Sequence, residues 1–87
     1  MTEPPKIEFP CDYPVKVIAE AQVGLLEEVF MIVQRHDPSI HMDRVTERPS
    51  SGGNYHAITL QLRATGVVQL QNLFEDLKAC EAVRLVL

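Results

Sequence analysis

The apolar residues of this chain switch repeatedly between a period of two and a period near 3.6, and that succession admits few folds. From Tyr13 to Glu20, Val15, Val17 and Ala19 alternate with Lys16, Ile18 and Glu20, the spacing of a half-buried strand. Over residues 22–36 the spacing becomes helical: Leu25, Val29 and Ile32 form one row, and Leu26, Phe30 and Val33 the next. Asp37-Pro38 ends that helix, because a residue before proline is pushed out of the α region. A more polar strand is predicted from Met42 to Pro49, and its closing proline suits a sheet edge. Ser50-Ser51-Gly52-Gly53 then reads as the turn of a hairpin. The return strand, Asn54 to Arg63, alternates most cleanly, with His56, Ile58, Leu60 and Leu62 on one side. Thr65 is placed to cap a second helix whose stripe is Val67, Leu70, Leu73, Phe74 and Leu77. Ala82 to Leu87 forms the last strand.

The order is therefore β-α-β-β-α-β. Two split βαβ units with right-handed crossovers combine into a four-stranded antiparallel sheet, order 4-1-3-2, with both helices on one face. This is an α+β, ferredoxin-like sandwich over residues 13–87, preceded by a loosely ordered arm, residues 1–12, that holds Pro4, Pro5 and Pro10. Ile7 and Phe9 are the arm's candidates for contact with the domain. Such a chain, 87 residues long, has a thin margin of stability, so homodimerisation is a natural expectation.

Charge and chemistry narrow the function. The net charge is −4, with no basic run, which lacks the Lys/Arg footprint that nucleic acid requires and disfavours anionic membranes. Met1 to Lys6 holds no apolar signal core, and no apolar run nears the roughly 18 residues of a membrane span, so a cytoplasmic protein is expected. Cys11 and Cys80 fall at opposite ends of neighbouring strands. Strand geometry separates them by roughly 23 Å, against a Cα limit of about 7 Å for a disulfide. His36 and His41 fall at one end of the sheet and His56 at the other, so no metal site is expected. Ser50 or Ser51 with His56 and Glu47 is the nearest thing to a catalytic grouping, but turn serines occur for turn reasons and no nucleophile elbow surrounds them. No enzyme activity and no cofactor are expected.

The stretch Arg48-Pro49-Ser50-Ser51-Gly52-Gly53-Asn54-Tyr55-His56, with Val33-Gln34-Arg35-His36 and the closing Val83-Arg84-Leu85-Val86-Leu87, resembles the YbeD-like family of small bacterial proteins. The resemblance covers about residues 9–87. It implies an ACT-like, ferredoxin-like fold and, by a lipoate-regulatory label that some members carry, regulation of a metabolic enzyme. The run Gly24-Leu25-Leu26-Glu27-Glu28-Val29 is similar to the ACT turn between the first strand and helix, matching it at Gly24, Leu26 and Val29. Ala21 and Val23 replace the polar residue and proline of that pattern, so the group that would hold an amino acid is missing.

Two functional expectations follow, both of a regulatory or binding module. In one, Gly24 and the hairpin residues Ser50, Ser51, Gly52, Gly53 and Asn54, flanked by Tyr55 and His56, form a small-anion site at the N-terminus of the first helix. In the other, the helix-free face of the sheet, carrying Ile18, Tyr55, Ala57, Thr59 and Val86, or an exposed edge strand, binds a protein partner. RNA binding is disfavoured by the charge and by the lack of aromatic residues on the central strands.

Overall fold

The pairing of the first and third strands organises the chain. In the computed structural model, which describes residues 9–50 and 52–87, β1 (Cys11–Glu20) and β3 (Tyr55–Ala64) lie antiparallel. Their register runs without a break from Cys11 opposite Ala64 to Glu20 opposite Tyr55. β4 (Val83–Val86) pairs with the free side of β1, and β2 (Val45–Pro49) with the free side of β3. The sheet order is β2-β3-β1-β4, the order predicted.

Alternation along the two central strands decides where the core lies. Val15, Val17 and Ala19 of β1 and Ile58, Leu60, Leu62 and Ala64 of β3 are fully buried. Onto this face pack Leu25, Val29, Ile32 and Val33 of α1 (Leu25–His36) and Leu70, Leu73 and Leu77 of α2 (Val67–Ala79). Among the described residues no helix covers the opposite face.

Several local expectations are corrected. β1 begins at Cys11, so Cys11 and Asp12 belong to the sheet and not to the arm. Phe9 packs against the core; Ile7 lies outside the described residues, as do residues 1–6, Glu8 and Ser51. Met42–Arg44 is a 3-10 turn, closed by the Arg44 N–H donating to the His41 carbonyl, so the edge strand is only five residues long. Thr65 does not cap α2. Gly66 takes that position, and the Thr65 N–H donates to the Gln69 side chain at 2.7 Å. Val67, placed in the buried stripe by its spacing, lies on the first turn and is exposed.

β4 brings the largest correction. Leu85 lies opposite Ile18 but Val83 lies opposite Ala19, so Arg84 is an extra residue, a bulge. The bulge reverses the parity of the strand. Val83 and Val86 both face the helices, and Val86 packs on the core instead of on the open face where alternation puts it. Leu85 takes its place on the open face.

Two substitutions test this account. Leu60→Ala in the fully buried centre of β3 should cost about 2–5 kcal/mol in urea unfolding. Gly24 has φ +80° and open space where a Cβ would sit. Gly24→Ala should therefore cost only the backbone strain, about 1–2 kcal/mol.

Candidate functional site

The β1–α1 junction and the β2–β3 hairpin do meet, as the topology predicts: the Ala21 N–H donates to the Asn54 carbonyl at 3.0 Å. Beyond that bond, each segment closes mainly on itself. The Ser50 N–H donates to the Tyr55 carbonyl at 2.7 Å, and the Ser50 hydroxyl accepts from the Tyr55 N–H at 3.2 Å. Gly53, at φ +74°, returns its N–H to the Ser50 carbonyl, and Gly52 lies exposed at the turn. Ser51 is outside the described residues. The positive end of α1, at Gly24, is already complemented by Glu27 and Glu28 in its first turn. The Gln22 amide donates to Glu28. These contacts leave a compact corner with acidic side chains at the helix N-terminus.

His56 does find Glu47 across the hairpin, Nδ1 to Oε2 at 2.9 Å. Glu47 lies opposite Ile58, so both side chains sit on the helix side of the sheet near the β2 edge. The Ser50 hydroxyl is engaged with Tyr55, and among the described residues it makes no hydrogen bond to His56. His36 joins the helices through Asp76 at 2.6 Å. Cys11 and Cys80 are free thiols, Cys80 buried with its thiol donating to Glu28 at 3.3 Å. Burial pushes the Cys80 thiol up, with Glu28 beside it adding to the effect, so it stays protonated. Among the described residues no group of three or more metal-ligating side chains converges, and no helix is long and apolar enough to cross a membrane.

The helix-free face has a different character. Its middle row is Leu85, Ile18, Ala57 and Arg48, read across β4, β1, β3 and β2. The next row is Leu87, Lys16, Thr59 and Thr46, with Leu87 held by two backbone hydrogen bonds to Lys16. Leu85 is 49% exposed, Leu87 60% and Tyr55 43%, which is high for large apolar side chains. Around them stand Lys16, Arg48 and Arg63, with Arg84 reaching over to pair with Glu20. Asp12 and Glu20 are the acidic residues of these strands on that face. Glu27, Glu28, Glu75 and Asp76 ride on the helices instead. An acidic chain thus presents a basic face with an apolar strip across it.

At the end of the sheet away from the hairpin lies a cleft of about 330 Å³, bordered by Asp12, Asp37, Ser39, His41, Arg44 and Arg63. Sequence reasoning missed it, because it assembles from β1, β3 and the segment after α1. Its wall is Asp37, 6% exposed. Asp37 Oδ1 accepts from the Ser39 N–H at 3.1 Å and hydroxyl at 2.5 Å, and Oδ2 from the Arg63 N–H at 2.9 Å. Burial raises the pKa of this carboxyl, but those hydrogen bonds and the nearby Arg44 outweigh it and hold the value below the ordinary 3.8. The one legible signal was Asp37-Pro38-Ser39, an Asx turn after a helix.

A pKa lowered by folding means the carboxylate's contribution is complete above the unfolded value and lost as pH falls through the folded one. Asp37→Asn should therefore flatten the fall in stability as pH drops below about 5 and through the ordinary carboxylate range, followed by urea unfolding. Asp37→Ala should cost about 2–4 kcal/mol at neutral pH, since buried donors lose a charged acceptor.

Comparison with known proteins agrees with the architecture and the sequence resemblance. The profile of a family described as "Protein of unknown function (DUF493)" matches residues 4–87. A UPF0250 protein of Pseudomonas aeruginosa PAO1 is 43% identical over 86 residues, covering 98% of this chain and 92% of its own. Another, from Edwardsiella ictaluri, is 42% identical over 81 residues, covering 93% and 91%. The solution structure of protein HP0495 from H. pylori superposes with a TM-score of 0.79 at 11% identity, covering 99% of this chain and 90% of that one, a likeness of fold. With that span of sequence matched, this chain belongs to the DUF493 (UPF0250) family, of which the YbeD-like resemblance was the sign.

Proposed function

We propose that this chain is a non-catalytic cytoplasmic module that binds and regulates another protein through the helix-free face of its sheet. The partner presents an acidic surface with apolar side chains at its centre. The observation that carries this reading is the apolar strip of Leu85, Ile18, Leu87 and Ala57 framed by Lys16, Arg48, Arg63 and Arg84 on a chain of net charge −4. Interfaces place apolar anchors at the centre and charge at the rim, where charge sets orientation and rate of encounter. Two such faces repel one another, so a partner of opposite charge suits this one better than a second copy. Regulation of a metabolic enzyme is the form of this role that the family resemblance implies.

RNA is served less well. A base-stacking sheet needs aromatic residues on its central strands. Tyr13 packs toward the helices, which leaves Tyr55 at the very start of β3. The small-anion reading at Gly24 and the hairpin meets acidic groups and engaged donors there.

The test is quantitative binding to a partner purified after capture on the immobilised chain. Affinity should fall as salt rises and drop about tenfold or more for Leu85→Glu. Val68→Glu, on the exposed face of α2, should leave it unchanged. A partner whose binding ignores both salt and Leu85→Glu would refute the assignment of this face.

A further inference from the structure

We infer that the cleft between the start of β1, the end of β3 and the segment after α1 is a binding site for a small oxyanion, a carboxylate or a phosphate, held by Arg44 and Arg63. Both guanidinium groups are drawn toward one oxygen, Asp12 Oδ1, at 3.7 and 3.8 Å. These distances are too long for hydrogen bonds. Among the described residues the two side chains make no hydrogen bond, and both line the cleft half-exposed, with their donors open to solvent and to a ligand. Guanidinium forks match the paired oxygens of carboxylate and phosphate. Asp12 lies between them as a loosely held internal counter-ion, and an incoming oxyanion takes its place.

The site is supported from behind. Asp37 is buried and fastens the backbone N–H of Arg63, the residue whose side chain lines the cleft, and the same carboxylate holds the Ser39 loop that forms the opposite wall. Asp37 is ionised and lines the cleft, but its charge is turned to the Ser39 and Arg63 donors behind the wall and is offset by nearby Arg44. Gln61, on the same face of β3 as Arg63, adds a neutral amide to the lining. A volume of about 330 Å³ suits a ligand at the small end of the range. The inference does not depend on a protein partner, because the cleft is complete within one chain.

The test uses the free ¹⁵N-labelled chain, titrated with sodium pyrophosphate or sodium succinate against sodium chloride at matched ionic strength. Saturable shifts at the amides of Ser39, Arg44 and Arg63, absent with chloride, are the expected result. A response to pyrophosphate alone assigns a phosphate ligand, to succinate alone a carboxylate, and to both a general oxyanion site. Arg63→Gln keeps the backbone N–H that Asp37 needs, so it should fold with an unchanged thermal midpoint and weaken binding about tenfold or more. Asp12→Asn removes the competing carboxylate and should tighten binding roughly two- to fivefold. The inference is overturned if no saturable shift occurs at millimolar anion, or if either Arg63→Gln or Asp12→Asn leaves the affinity unchanged.

Discussion

The unbroken antiparallel pairing of β1 with β3 is the constraint on which everything else rests. A register fixed over the whole of both strands commits every side chain to one face or the other. The odd residues of β1 and the even residues of β3 thereby form a single apolar floor, and the helices cover that floor because nothing else can. The same register puts Ile18 beside Ala57 and Lys16 beside Thr59 on the other side. It also brings Asp12 opposite Arg63, where one end of the sheet becomes a cleft.

The two faces are thus products of one pairing, but their energetics differ. The helix side is held by burial, at roughly 25 cal/mol per Å² of apolar surface removed from water. The open side has only cross-strand contacts and half-exposed ion pairs, which contribute little to stability. Arg84 with Glu20 and Arg63 with Asp12 belong to this class. Side chains that the fold does not need are the ones free to serve recognition.

Much of this was legible in the sequence wherever a signal was local and repeated. The alternation from His56 to Leu62 announced its buried face directly, and the turn residues after Pro49 marked the hairpin. What failed was parity after an insertion: nothing in Val83-Arg84-Leu85-Val86 announces that Arg84 is skipped, so Val86 was assigned to the wrong face. Thr65 was a reasonable cap by type, yet Gly66 follows it with the extended backbone the cap position takes. The cleft was out of reach for another reason. Its wall depends on Asp37 meeting Arg63, residues 26 positions apart, and only the folded chain puts them together. The candidate site at the hairpin drew on residue types that favour ligands in general, and of these Ser50 and Gly53 use hydrogen bonds to close the turn.

The bulge at Arg84 and the proline that ends β2 also bear on what the protein does in a crowded solution. A sheet with an exposed apolar face is at risk of growing sideways, strand upon strand, into larger assemblies. Here one outer strand is five residues long and ends in Pro49, which brings no N–H to the edge. The other spans four residues and is kinked by its extra residue. Neither rim offers the long, straight ladder that aggregation requires. The apolar open face is thus flanked on both sides by edges poorly shaped for further strand pairing.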